Sequence, residues 1–150
     1  MTRPGVLFYV QHLLGVGHLY RACHVSRAMV AAGMDVHLVS GGMPVPGLDV
    51  PGVTVHQLAP VMCRDGDFRT LLMQDGSPAG EGFKRERSRR LLSIFDEIHP
   101  RALVTEAFPF GRRQMRFELQ PLLERAHAAR PAPIVVCSVR DILQAGGKPE

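Results

Sequence analysis

A chain of 150 residues, 45% hydrophobic and 21% charged, has the length and balance of one soluble globular domain that buries a core without disulfides or metals. Its formal net charge of +4 suits acidic partners, which leaves nucleic acid, an anionic membrane face and phosphorylated sugars open and says nothing of fold. No apolar run approaches the length of a membrane span, and the three cysteines, Cys23, Cys63 and Cys137, form no CxxC and no even set, the pattern of packed, reduced thiols in a cytosolic protein.

The first element is the run VLFYV at 6–10, rich in β-branched and aromatic residues, which predicts a strand buried on both faces rather than a signal peptide. Residues 12–17 form a loop with glycines at 15 and 17. The period then changes to helical: Leu19, Ala22, Cys23, Ser26, Met29, Val30 and Gly33 share one face, and Arg21, His24 and Arg27 the other. Gly33 ends that helix, and 34–40 (MDVHLVS) reads as a second buried strand. The tract 41–52 is a loop dense in glycine and proline, and 53–58 (VTVHQL) alternates as a third strand nearer an edge. Residues 59–82 carry weak periodicity, with DGDF and DGSPAGEG as punctuation, and read as a long irregular segment.

From Phe83 the pattern is helical again. Leu91, Leu92, Phe95 and Ile98 make its stripe, Lys84, Arg85, Arg87, Arg89 and Arg90 crowd its opening turns, and Pro100 ends it. Charge patterning makes that basic cluster a solvated helix face, with contact to an anionic membrane as the rival reading. A short strand at 102–105 (ALVT) leads into EAFPFGRRQ and a further helix carrying Met115, Leu119, Leu122, Leu123 and Ala126, where Pro121 predicts a kink or a restart. The run 134–139 (IVVCSV) reads as the next buried strand, followed by RDILQAGGKPE. The order β-α-β-loop-β-α-β-α-β implies an α/β fold, a doubly wound, mostly parallel, Rossmann-like sheet occupying 1–150 as one domain. Such a domain would normally continue past its last strand, so the expectation is a piece of a longer chain.

In an open parallel sheet, ligands sit beyond the carboxyl ends of the strands, and the first turn offers them backbone N–H groups and the positive end of a helix. The dinucleotide fingerprint fails here at two points. Tyr20 stands in place of the third glycine, and Ser40, Gly41 and Gly42 stand where a ribose-binding acid should be. A Walker A loop fails as well, because no GK[ST] follows the glycines. What remains is an anion-friendly turn with His18 at the mouth of the helix.

Strand, glycine-rich loop, GH, helix and AAGMDVHLVSGG together resemble the N-terminal domain of GT-B glycosyltransferases, most closely the family of the peptidoglycan N-acetylglucosaminyl transferase. More narrowly, HLLGVGHLYRA, TEAFPFGRRQMRFEL and SVRDIL are similar to a bacterial group of predicted glycosyltransferases related to that enzyme. The resemblance implies two Rossmann-like domains with a cleft between them. The half in hand would be the acceptor-side domain carrying the general base, and an absent C-terminal domain would hold most of the nucleotide sugar. It further implies transfer of a hexosyl or N-acetylhexosaminyl unit to an acceptor hydroxyl with inversion, a nucleotide-sugar co-substrate and no other cofactor. This fragment would then be inactive alone, and its setting would be the cytoplasm or the inner membrane face. The loop LLGVGH has fewer glycines than the GGTGGH-like run of that family.

Within that frame His18 is the candidate base, since imidazole titrates near neutrality and a helix N-terminus favours its neutral form. Glu106, at a strand's carboxyl end, is placed to orient the base or take sugar hydroxyls, against the plainer reading of a local ion pair with an arginine over buried Phe108 and Phe110. Arg112 and Arg113 are candidates to grip a phosphate or carboxylate, Gly15 and Gly17 to give close backbone approach or positive φ against the plainer reading of a tight turn, His12 to touch a ligand against that of a solvated loop histidine, and Arg140 and Asp141 to line an acceptor pocket. No spacing suggests a metal site, and His18 and His24 do not share a helical face. The partners implied are a nucleotide-sugar donor and a hydroxyl acceptor, not nucleic acid. A non-catalytic α/β ligand-binding or regulatory domain is the competing class, although Gln11 and His12 stand where a receiver domain needs acids. A nicotinamide-dependent oxidoreductase is the third reading.

Overall fold

The computed structural model describes residues 2–140, so Asp141 lies outside the described residues. Among the described residues the chain forms β1 (Gly5–Val10), α1 (Gly17–Ala31), β2 (Asp35–Ser40), β3 (Val53–Gln57), β4 (Met62–Arg64), β5 (Asp67–Leu72), α2 (Glu81–Ile98), β6 (Ala102–Glu106), a 3₁₀ turn (Arg113–Met115), α3 (Arg116–Ala128) and β7 (Ile134–Ser138). Five strands pair in parallel in the order β3-β2-β1-β6-β7, the Rossmann-like α/β sheet that the sequence implies.

β1 is the centre of this sheet, and its residues 6–10 are buried on both faces. Leu7 and Tyr9 pack with Leu91, Ile94 and Phe95 of α2 and with Leu119 and Leu122 of α3. Val6, Phe8 and Val10 face the other way, toward Leu19, Ala22 and Cys23 of α1. The period of two along the strand thus splits one apolar run between two cores, each large side chain contributing about 1.5–3 kcal/mol of burial. Gly33, with φ at 91°, takes the left-handed conformation that stops α1 before β2.

Four expectations need correction. First, 59–82 is not irregular throughout: β4 and β5 form an antiparallel hairpin about Asp65-Gly66, with Arg64 opposite Asp67 and Gly66 at φ 81°. An Asp-Gly pair between short runs is a strong hairpin signal. Backbone bonds from Cys63 N–H to the Leu13 carbonyl (3.0 Å) and from Val61 N–H to the Gly41 carbonyl (3.1 Å) tie this segment to the loops after β1 and β2.

Second, β7 is an edge strand and not a buried one. Ile134 is 70% exposed, and no described element covers it. Third, of the kink or restart expected at Pro121, the restart does not occur: α3 runs through it as one helix. Proline removes only its own N–H, and Leu119 and Leu122 on either side are anchored in the core.

Fourth, Arg87 does not belong to a solvated basic face. It lies one turn before Leu91 on the buried stripe of α2, and its side chain is fully buried. Glu118 of α3 receives it in bidentate fashion, Nε to Oε2 at 2.7 Å and Nη2 to Oε1 at 3.0 Å. Nη2 also donates to Gln11 Oε1 (2.6 Å), and Nη1 to the carbonyls of Gly41 (2.9 Å) and Ala59. Tyr9 donates its hydroxyl to Glu118 as well. Gly41 has to be glycine, because a Cβ there would stand 2.1 Å from Gln11 Oε1 and 2.2 Å from Arg87 Nη2. The other basic side chains are mostly paired at the surface: Lys84 with Glu81 and over the Phe117 ring, Arg89 with Glu86, Arg90 with Glu97.

Candidate functional site

The order of the strands reverses at β1, with β2 and β3 on one side and β6 and β7 on the other. The carboxyl ends of β1 and β6 therefore flank the topological switch point, where open α/β sheets place their ligands. The loop after β1 leads into α1, which starts at Gly17 with no side-chain cap and so leaves its first N–H groups open.

His18 sits in that first turn, and Glu106 is the last residue of β6. The structure brings them together: His18 Nδ1 lies 3.2 Å from Glu106 Oε1, with the imidazole 22% exposed and the carboxylate 1%. Arg21, one turn further along α1, places its Nε 3.7 Å from the same oxygen. Its Nη2 donates to Ser138 Oγ (3.2 Å) and to the Val139 carbonyl (2.8 Å), which pins it to the end of β7. A carboxylate oxygen accepts, so the neutral imidazole tautomer that fits this contact carries its hydrogen on His18 Nδ1 and keeps its lone pair on Nε2. Glu106 Oε2 is buried and has no partner among the described residues, so the carboxylate retains acceptor capacity.

The backbone after Glu106 is held in an unusual conformation. Ala107 has φ of 67° and Arg112 has φ of 59°, the left-handed region that costs a non-glycine residue about 1 kcal/mol or more. A bond from Ala107 N–H to the Ser138 carbonyl (2.7 Å) keeps the first in place. Strain of this kind collects beside ligand sites.

The other candidates divide. His12 is buried, and its Nε2 lies 2.9 Å from the Met43 carbonyl, which can only accept. Burial pushes the His12 imidazole below its ordinary pKa, and the nearby Arg112 guanidinium adds to this. Gly15 and Gly17 are exposed with open space about them, and neither takes positive φ, so that reason for glycine falls. Arg112 Nε donates to the Gln11 carbonyl (2.8 Å), which makes it a brace on the loop after β1. Arg113 opens the 3₁₀ turn and lines a hollow of about 330 Å³ with Phe108 and Pro109. The partners of Glu106 are His18 and Arg21, not Arg112 or Arg113, so the Glu–Arg pair is made across the sheet by an arginine of α1. Phe108 is buried as expected, whereas Phe110 is 59% exposed. Arg140 is exposed at the end of the described residues.

Arg21 is the residue that periodicity misplaced on the outer face of α1. Its spacing of three from His18 puts both on one side of the first turn, a signal the sequence did contain. A hollow of about 320 Å³ lined by His99, Arg101 and Arg130 lies at the far end of the sheet, before β6 begins, and does not touch this site. Among the described residues no group of three or more His, Cys, Asp and Glu is placed to hold a metal.

No family model matches the sequence, and no curated protein matches it. Solved structures do. Apo UGT2 of Phytolacca americana superposes with a TM-score of 0.53 at 15% identity, over 91% of this chain and 29% of that one. The same enzyme complexed with UDP-2fluoro-glucose and pterostilbene gives 0.50 at 14%, over 93% and 31%. UGT73P12 of Glycyrrhiza uralensis complexed with glycyrrhetinic acid 3-O-monoglucuronide gives 0.52 at 17%, over 91% and 28%. These are plant UDP-glycosyltransferases of the GT-B fold, and the likeness is one of fold, consistent with a single lobe of that architecture. The chain spans less than a third of their length.

Proposed function

We propose that this chain is the acceptor-side lobe of a glycosyltransferase that moves a sugar from a nucleotide-sugar donor to an acceptor hydroxyl with inversion. The observation that carries this reading is the buried carboxylate of Glu106 behind His18 at the switch point of the sheet. Direct displacement at an anomeric carbon needs a base to take the hydroxyl proton as the acceptor oxygen forms its bond and the nucleotide leaves. His18 Nε2 supplies the lone pair, and Glu106 fixes the tautomer and stabilises the imidazolium that results. Arg21 holds Glu106 in register from the other side.

Donor-binding residues come from polypeptide beyond this lobe, as the short span against the solved neighbours suggests. The fold likeness to an enzyme solved with UDP-2fluoro-glucose supports the donor class. The unpartnered Oε2 of Glu106 at a strand end supports a ligand here over a purely structural domain. A hexosyl or N-acetylhexosaminyl donor and a cytoplasmic setting belong to the same proposal.

The test is sugar transfer by the complete protein that carries this chain, with UDP-sugars and a panel of hydroxylated acceptors. His18→Ala should lower kcat by about 10²–10⁴-fold while leaving the protein folded. Near-normal turnover of that variant would remove His18 as the base.

A further inference from the structure

The hollow of about 320 Å³ at the far end of the sheet lies where α2 and α3 both stop, just ahead of β6 and β7. The Glu106 carboxylate sits at the opposite end of β6, so this hollow is separate from the base and from the switch point. Its floor is apolar: Phe95 is 4% exposed, Pro100 is buried, and Ala129 and Pro131 close the side. Three arginines and one carboxylate line it, and the carboxylate, Asp96, is taken by Arg125. Arg101 and Arg130 have no carboxylate partner among the described residues, whereas Lys84, Arg89 and Arg90 of α2 each have one. Helix ends that meet in this way present open carbonyls, which repel anions. Arg130 removes that obstacle, because its Nη1 donates to the carbonyls of His127 (3.0 Å) and Ala129 (2.8 Å) at the end of α3 and leaves Nε and Nη2 free of protein partners among the described residues. Arg101 is fixed through its main chain: its N–H donates to the Gly5 carbonyl (2.8 Å), and its carbonyl accepts from the Ile134 N–H (3.0 Å). Its exposed side chain makes no hydrogen bond or ion pair among the described residues, so the guanidinium is open to a ligand.

We infer that this hollow is a second, non-catalytic binding site for an anion with a flat apolar body, a carboxylate or phosphate carried on a ring system. Arg101 and Arg130 grip the anionic head, and the ring lies against Phe95 and Pro100. A guanidinium presents its donors as a planar fork that matches either oxyanion, and it stacks on flat faces as an ammonium does not. The volume falls at the low end of the range for small-molecule sites, and an apolar floor with a few convergent polar groups is the arrangement that orients such ligands. A neutral ligand of the same shape gains the floor alone, and a bare phosphate gains the arginines alone. A ligand held here meets the amino ends of β6 and β7, so its binding is separable from sugar transfer at their carboxyl ends.

The test is fluorescence titration of the complete protein that carries this chain, at low ionic strength, with 2-naphthoate, 2-naphthyl phosphate and neutral 2-naphthalenemethanol. Inorganic phosphate is read by its displacement of the naphthyl phosphate. The tighter naphthyl anion, which names the head group, should bind about tenfold better than the alcohol, the worth of a charge-assisted contact in a half-open site. Inorganic phosphate should bind about tenfold more weakly than naphthyl phosphate, since it forfeits the burial of the ring. Arg101→Met and Arg130→Met should each weaken the anions by roughly three- to tenfold and leave the alcohol unchanged. Arg101→Met keeps every main-chain bond at that position, so the test stands even if Arg130→Met loosens the end of α3. Ala128→Trp, which fills the hollow from the last turn of α3, should weaken all three naphthyl probes. Equal affinity for the anions and the alcohol, anion binding unchanged in both arginine variants, or binding untouched by Ala128→Trp would each overturn the inference. The readout needs no sugar transfer, so a protein that binds these anions as described and transfers no sugar would count against the glycosyltransferase reading alone.

Discussion

Among the described residues, two buried glutamates are held by arginine, and they are built to opposite ends. Glu118 and Arg87 are both fully buried, and all their charged atoms meet partners from β1, α2, α3 and the loops after β1, β2 and β3. Glu106 is equally buried, yet it has one oxygen unpartnered among the described residues, a guanidinium at 3.7 Å and an imidazole partly open to solvent. Complete satisfaction suits a brace, since such a network gains nothing from a ligand. Incomplete satisfaction at a strand end suits a site, because a ligand can finish what the fold left open. The difference lies in geometry and not in residue type.

The largest effect expected from this contrast is on stability. Arg87→Ala strands the Glu118 carboxylate in the core, which costs about 3–5 kcal/mol and lowers Tm by roughly 6–20 °C in thermal denaturation. A loss of under 1 kcal/mol would show that the hub is no brace. His18→Ala should do the reverse, changing stability by less than about 1 kcal/mol because water enters the vacated position and Arg21 remains, while transfer by the complete protein falls as stated above.

The smallest effect is a pH dependence. Burial, with help from Arg112, holds the His12 imidazole below its ordinary range, and burial beside His37 does the same for His56. The unfolded chain takes up these protons near pH 6.5 while the folded chain resists them, so the unfolded state binds more protons and stability is lost as pH falls below about 6.5. Denaturant titrations from pH 7.5 to 5.5 should show that slope, and His12→Phe should flatten part of it. A slope untouched by the substitution would mean that His12 is protonated in the fold.

How much of this was legible in the sequence follows from the range of each signal. β1, α1 and β2 announce themselves through local period, so their order and the central place of an apolar β1 could be read directly. His18 and Glu106 could each be singled out by position, one at a helix start and one at a strand end. Their 3.2 Å contact could not, since it joins residues 88 apart and depends on β1 and β6 lying side by side. Arg87 escaped for a related reason. A charged residue among five basic ones reads as solvated unless its acceptor is known, and Glu118 lies on another helix. The hairpin about Asp65-Gly66 was missed although its turn residues are local, because its strands are short and one of them is largely exposed. β7 was read as buried from composition, and composition does not tell an edge from a centre.

The account turns on His18 and Glu106 acting as one unit, which a double-mutant cycle on kcat in the complete protein measures directly. His18→Ala, Glu106→Gln and the double variant should show that Glu106→Gln, costing about 10²-fold on its own, costs almost nothing once His18 is gone. Fully additive losses, with Glu106→Gln as damaging in the His18→Ala background as in the native protein, would contradict it.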